Sequence, residues 1–259
     1  MKLFKFVPPE RVDILKDERI SFTPPIKFSD PHEMCLKLSS SAKKEFKKRL
    51  FEQIEKKAER ELAGYRQLSS RQRKIGRKEM TRGKNIGGVG NESFQTTIRR
   101  EASEKMGALC LCTNIKDNLM WDHYTKGYQG FVIEFDSENE EFKSLGMPWK
   151  VEYVNEPPEF NYSKSIPEFF RFKSKCYEYE GEYRIIRPLC ECAKMSREKD
   201  AVLYFRPLPR RAIKAVYLGH RINDSIRKDI LHLLHDTGAQ MYEVDSNLNG
   251  YELYFKSIK

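Results

Sequence analysis

Lys175-Cys-Tyr-Glu-Tyr-Glu-Gly-Glu-Tyr-Arg-Ile-Ile-Arg187 packs Glu178, Glu180 and Glu182 into five residues and then runs directly into the apolar pair Ile185-Ile186. Read as an extended segment, its period of two puts the three glutamates and Arg184 on one side, and Tyr177, Tyr179, Tyr183 and Ile185 on the other. Like charges this close repel, so the group requires a cationic partner, a raised pKa or a ligand. Arg184 on the carboxylate side and Lys175 at the start of the stretch are the expected partners. For any one glutamate, a solvated charge on an edge strand is an equal alternative. The density of aromatic rings and carboxylates favours a site for the group as a whole.

Working outward, Ala108–Thr113, Phe131–Asp136, Trp149–Val154 and Ala212–Leu218 read as strands. Met241–Val244 and Tyr251–Phe255 close the chain in the same way. At the other end, Leu3-Phe-Lys-Phe6 is a short strand stopped by Pro8-Pro9, followed by a short helix over 10–16 and a strand over 19–23. Asn118–Tyr124 predicts a short helix, and Asp224–Asp236 a capped amphipathic helix ended by Gly238. Asn155–Pro167 reads as a loop. Pro24–Glu33 is a rigid proline-rich loop that ends with Asp30 and Glu33 near each other. Strands outweigh helices outside residues 41–105. The expectation is one α+β domain over 1–259, a sheet with flanking helices, interrupted by a basic helical insertion over 41–105.

The charge is concentrated in that insertion. The 259-residue chain has a formal net charge of +10, and Lys43 to Lys84 alone holds sixteen Lys/Arg against six Glu, an excess of +10. The rest is close to neutral, so the basicity belongs to one element. Phe46, Leu50, Ile54, Ala58 and Leu62 recur every four residues and predict an amphipathic helix over 41–68 whose stripe packs on the body or on a second copy of the chain. Glu92–Lys105 predicts a second helix, after a glycine-rich turn over 83–91 that lacks the Gly-Lys-Ser/Thr of a phosphate loop. Lys43, Lys44, Lys47, Lys48, Arg73, Lys74, Arg77 and Lys78 are the residues expected to meet RNA or DNA phosphates. A solvated helix laced with Glu/Lys pairs is the alternative. No apolar run reaches bilayer-spanning length, and six cysteines without a secretory leader predict reduced thiols and a cytoplasmic protein with no membrane partner. Cys110-x-Cys112 and Cys190-x-Cys192 lack zinc-knuckle spacing and read as buried thiols.

The order of motifs resembles a bacterial family catalogued as a domain of unknown function. That family carries a Leu-Tyr-Lys-Tyr strand, a Phe-Asn-Asp-Pro-x-Glu loop, a Met-Trp-x-x-Tyr helix with a glycine-rich exit into a strand, and a Trp-x-x-Glu-x-Glu-x-Arg strand. The counterparts here are Leu3-Phe-Lys-Phe6, Phe28-Ser-Asp-Pro-His-Glu33, Met120-Trp-Asp-His-Tyr124 through Asp136, and Tyr177-Glu-Tyr-Glu-Gly-Glu-Tyr-Arg184. Val216-Tyr-Leu-Gly219 also matches. Phe4 and Phe6 replace tyrosines, Ser29 an asparagine and Tyr177 a tryptophan. The likeness covers most of the chain except the insertion and implies a place among bacterial accessory or phage-defence genes.

A more distant similarity is to ADP-ribosyltransferases, in which a split sheet grips NAD and a Glu-x-Glu pair acts at the nicotinamide ribose; it implies that the α+β body here is built on a mainly antiparallel (split) sheet. It implies NAD as cosubstrate without a metal, Glu182 as the catalytic glutamate and Glu180 as the substrate-orienting one, with Arg184 beside them. Lys5, where those enzymes carry Arg or His, would contact the dinucleotide together with Phe6. Thr113 would stand at their Ser/Thr position, and Trp121 and Tyr124 would stack on a nicotinamide or base. Asp30, Glu33 and His123 would support the site. Two other classes stay open. Asp30, Glu33, His123, Glu134 and the glutamate strand could assemble a metal-dependent nuclease, or the chain could be a non-catalytic nucleic-acid-binding or sensor module.

Overall fold

The computed structural model describes residues 1–61, 64–80, 91–160, 164–197, 201–245 and 250–258. Its main sheet has eight strands: β1 (Lys2–Val7), β2 (Met106–Cys112), β3 (Phe131–Asp136), β4 (Pro148–Lys150), β5 (Glu182–Pro188), β6 (Ile213–Leu218), β7 (Gln240–Asp245) and β8 (Tyr254–Ser257). They lie in the order β8-β7-β6-β3-β1-β2-β5-β4. Every neighbouring pair is antiparallel except β6 with β7. The longer helices are α1 (Ser40–Glu61), α2 (Ser70–Met80), α3 (Asn91–Lys105), α4 (Asn118–Tyr124) and α5 (Asp224–Leu233). The parallel pair exists because α5 carries the chain back between β6 and β7. The remaining strands form smaller sheets, the largest made of Ala193–Arg197, Ala201–Pro207 and Arg19–Ser21. The architecture is α+β, mainly antiparallel, with flanking helices.

One feature of the pairing positions the site. β1 pairs with β3 from Lys2 to Val7, and β2 pairs with β5 from Met106 to Pro188, each along a full ladder. β1 and β2, by contrast, pair only at Phe4 and Cys112. The sheet is thus two ladders joined at one point, and they part beside that point. Lys5 reaches across, its Nζ donating to the Cys110 carbonyl at 3.1 Å.

β1 is central because it is apolar on both faces. Leu3 and Val7 join one core with Leu109, Leu111, Phe131, Ile133, Phe135 and Ile185, against which α5 packs through Ile230. Phe4 and Phe6 join the core on the opposite face with Met120 and Trp121 of α4. Gly130 lets the start of β3 approach β1 closely: a Cβ there would lie 2.1 Å from the Val7 carbonyl oxygen.

The insertion docks through a third core. Phe94, Ile98 and Ala102, spaced by four on α3, pack with Met34, Leu36, Phe160, Phe169 and Phe170. Phe94 meets Phe46 of α1 and Phe160 edge-on, at 5.1 and 5.0 Å between centroids. On α1 the expected stripe is only partly inward. Ala58 is buried, Phe46 and Ile54 are half-buried, and Phe51 is exposed. The side chain of Leu50, Leu62 itself and most of the glycine-rich turn (81–90) lie outside the described residues. α2 forms without an apolar stripe, started by a reciprocal cap: the Gln72 side-chain oxygen accepts from the Ser69 backbone, and the Ser69 hydroxyl accepts from the Gln72 backbone.

Three expectations need correction. The stretch before β5 is not extended: Lys175–Glu180 is a 3-10 turn, and Gly181 follows in the left-handed region at φ 51°. The turn throws Glu178 into solvent while Glu180 and Glu182 are buried, so the three glutamates do not share a side. Trp149–Val154 is two strands in different sheets, broken at Val151. The segment expected as a loop over 155–167 contains the strand Glu159–Phe160 and the start of the helical turn Ile166–Phe169.

Candidate functional site

The Gly181 break aims two glutamates, two residues apart, at one point. Glu182 and Arg184 share a face of β5, while Ile185 faces the core behind. Arg184 forks onto Glu182, Nε to Oε1 and Nη2 to Oε2, both at 2.8 Å. Its third nitrogen donates to the Phe170 carbonyl at 2.9 Å. Lys173, in the short strand Phe172–Ser174, enters from the other side. Its Nζ lies 2.5 Å from Glu180, 3.1 Å from Glu182 and 3.4 Å from Glu33. Glu33, from the proline loop, also lies 2.7 Å from Arg184, as an ion pair without the alignment of a hydrogen bond. Tyr124 of α4 donates its hydroxyl to Glu180 at 2.7 Å, and the Glu182 backbone N–H donates to the Tyr153 hydroxyl at 2.8 Å. None of Glu33, Lys173, Glu180, Glu182 and Arg184 is more than 5% exposed.

Three carboxylates face two cations, so the cluster carries one net negative charge when all are ionised. Burial pushes every carboxyl in it upward. For Glu182 the Arg184 fork and Lys173 overcome that push and hold the pKa at about 2. For Glu33 and Glu180 burial wins and both are raised, even against Arg184 and Lys173 in the first case and Lys173 in the second. Burial pulls Lys173 down, but Glu182, Glu33 and Glu180 together hold it well above the ordinary lysine value. Burial also lowers Lys5, against the pull of Cys110 and Glu182, and raises the Tyr124 hydroxyl, which Glu180 raises further.

The cluster forms one wall of a cavity of about 240 Å³ at the parting of β1 and β2. Phe4, Lys5 and Phe6 line it from β1, Cys110, Leu111 and Cys112 from β2, Met120 and Tyr124 from α4, and Glu33, Lys173, Glu180 and Glu182 from the cluster. Thr23, Lys27, Phe28 and Ser29 complete it from the N-terminal loops. Here apolar rings surround a few charged groups, as in most small-molecule sites. Burial raises both β2 thiols, Cys112 to about 12, so neither is a ready nucleophile.

Of the residues expected from sequence, Lys5, Phe6, Glu33, Tyr124, Glu180 and Glu182 meet at this cavity. The others sit elsewhere. Arg184 is behind the wall and acts on Glu182. Trp121 is fully buried, donates Nε1–H to the Ile115 carbonyl at 2.7 Å and backs Phe6 edge-on, so it packs rather than stacks on a ligand. Thr113 is exposed and donates to the Gly181 carbonyl at 3.5 Å. His123 lies outside the lining, its Nδ1 3.3 Å from the Tyr179 hydroxyl. Asp30 is buried. Its Oδ1 accepts from the His32 backbone at 2.8 Å, and its Oδ2 has no partner among the described residues, so no basic side chain holds it. Glu134 accepts from Tyr217 at 2.6 Å and pairs with Lys2 at 3.0 Å, away from Glu33. Lys175 is exposed and is not the cation the glutamates use. Lys43, Lys44, Lys48 and Lys74 are exposed and Arg73 is half-buried, while the side chains of Lys47, Arg77 and Lys78 lie outside the described residues. All six cysteines are free, and Cys190, expected to be buried, is exposed.

Sequence reasoning missed Lys173, which no pattern distinguishes from its neighbours, together with Lys27 and Phe28. Among the described residues no three His, Cys, Asp or Glu side chains are arranged to hold a metal ion. The three glutamates turn onto Lys173, Arg184 and Tyr124. No helix among them is long and apolar enough to cross a membrane. Comparison with protein-family models, with curated proteins and with solved structures returned no match.

Proposed function

We propose that the protein is an ADP-ribosyltransferase-like enzyme that cleaves the nicotinamide–ribose bond of NAD and passes the ADP-ribosyl group to an acceptor. The observation that carries this reading is one of convergence. The first-strand cation Lys5 and the Glu180/Glu182 pair, far apart in sequence, face one aromatic-lined cavity where the sheet parts. As nicotinamide leaves with the bonding electrons, positive charge develops on the ribose. A carboxylate fixed and ionised in advance, as Glu182 is by Arg184, stabilises that charge without reorganising. Because the cluster is one cation short, a cationic fragment beside it is favoured over a neutral one. Glu180, with a raised pKa, is suited to take the proton released by the attacking acceptor group. Lys5, Phe4, Phe6 and Tyr124 would hold the dinucleotide.

The test is nicotinamide release and NAD calorimetry on Glu182→Gln. The variant should keep its fold, with some loss of stability from the weakened Arg184 fork, and lose NAD cleavage. Release at the wild-type rate would remove Glu182 from the chemistry, and a wild type that does not bind NAD would remove the reading.

A further inference from the structure

On the far side of the proline loop lies a second and larger hollow, about 680 Å³, between that loop and α3. It shares Phe28, Ser29 and Glu33 with the glutamate cavity, so the two adjoin at those residues. We infer that this groove seats a single-stranded nucleic acid and that the strand is the acceptor for the group transferred in the cavity. The binding part stands on the groove alone, while the acceptor part rests on the transferase reading.

The groove's cations come from the insertion. Arg99 donates to the carbonyls of Pro25 and Pro31, at 3.1 and 2.7 Å, and among the described residues pairs with no carboxylate. Arg100 beside it is exposed and pairs with Glu104 at 4.0 Å. The one carboxylate in the lining, Glu33, is already paired with Arg184 and Lys173. Phe28 stands at the boundary. Its ring covers Arg184 at 5.1 Å and meets Phe170 edge-on at 6.2 Å, and it is half-buried, which leaves ring surface to both hollows. Guanidinium groups along a hollow with an aromatic ring at its end are what a single strand requires: charge for the backbone and a face for a base. An acidic peptide would use the cations but not the ring. The basic helix α1 rests on α3 through Phe46 and Phe94, and its Lys43, Lys44 and Lys48 are exposed.

The probe is a fluorescently labelled single-stranded oligonucleotide, as DNA and as RNA of one sequence, titrated by anisotropy over a salt series without NAD. Leaving NAD out separates the two claims, because groove binding then stands or falls independently of NAD cleavage. The wild type should bind with a steep salt dependence. Arg100→Gln should reduce the log–log slope by about 0.7, one phosphate contact on a single strand. Thr96→Glu, which adds a negative charge to the groove lining, should weaken binding at every salt concentration. Neither variant touches the buried cluster. With radiolabelled NAD, label should then pass to the oligonucleotide and fall in both variants. Absence of binding by the wild type or equal binding by all three proteins would overturn the groove assignment, and label passing only to protein would overturn the strand as acceptor.

Discussion

Lys173→Met removes the central cation of the buried cluster and is the most direct test of its electrostatics. The side chain is nearly isosteric, so the packing loss is small and charge dominates. In the wild type three carboxylates share two cations. In the variant Arg184 alone faces three, and the cluster goes from one net negative charge to two. Breaking a buried pair in this way costs about 3–5 kcal/mol. The pH dependence gives the finer prediction. Glu33 and Glu180 bind protons more tightly folded than unfolded, so each lowers stability as pH rises from 4.5 through its raised folded value. Glu182 does the opposite: held at about 2, it contributes stability above 4.5 that is lost as pH falls toward its folded value. Removing Lys173 raises Glu33 and Glu180 further. The deficit should therefore be largest at alkaline pH and shrink as pH falls and those two groups take up protons. Urea unfolding of both proteins across a pH series measures it. A second substitution, Glu180→Gln on top of Lys173→Met, should recover part of the loss, because the two sites couple. A deficit below about 1 kcal/mol, the range of an exposed ion pair, or one that does not change with pH, would refute this account.

Tyr124→Phe removes the hydroxyl that Glu180 accepts at 2.7 Å and that favours its charged form. The Glu180 pKa should rise further, and the acid limb of kcat/KM for nicotinamide release should move to higher pH, whereas an unmoved limb would remove Glu180 as the base. Phe94→Ala opens a cavity at the fully buried junction between insertion and body. A loss of about 3–5 kcal/mol should come with hydrogen exchange rising first in α1 and α3, and unchanged exchange there would mean that the insertion is held elsewhere.

The parts of the fold legible in the sequence are those where a single short segment determines the outcome. β1, β3 and α4 follow from short local patterns and form at or close to the expected positions, α4 with Asp117 as its cap in the structure. The pair Glu180 and Glu182, which lines one cavity with Lys5, was legible as a group from residue type and spacing, and Lys5 was legible only through the resemblance to ADP-ribosyltransferases. The conformation around the pair was not, since alternation over Tyr177–Glu182 fits a strand as well as the turn that Gly181 makes possible. The partner of the glutamates was invisible for another reason. Lys175 is the nearer lysine in sequence, but Lys173 reaches the cluster because its short strand pairs with Glu152–Val154, a contact that periodicity does not encode. Asp30 shows the reverse failure. Its place in the proline loop with Glu33 was legible, but it works within that loop, accepting from His32, and not on a basic side chain.

The deeper point of the site is that two glutamates separated by one glycine are driven to opposite protonation behaviour. Both are buried, so burial alone would raise both. What separates them is the second residue of each environment. Glu182 is the one on the regular strand, where alternation brings Arg184 to the same face and a two-point fork follows from backbone geometry. Glu180 is the one on the turn, beyond the reach of that fork, with a shared lysine and a neutral hydroxyl as partners. Gly181 is the switch between the two environments, because only a left-handed residue there ends the turn and starts the strand within one step. An environment that splits two carboxyls in this way leaves one a permanent anion and the other a titratable group, the division of labour that acid–base and charge-stabilising roles require. On the proposed transferase reading, the loss of Glu182 should remove transition-state stabilisation at every pH, and the loss of Glu180 should flatten the pH profile.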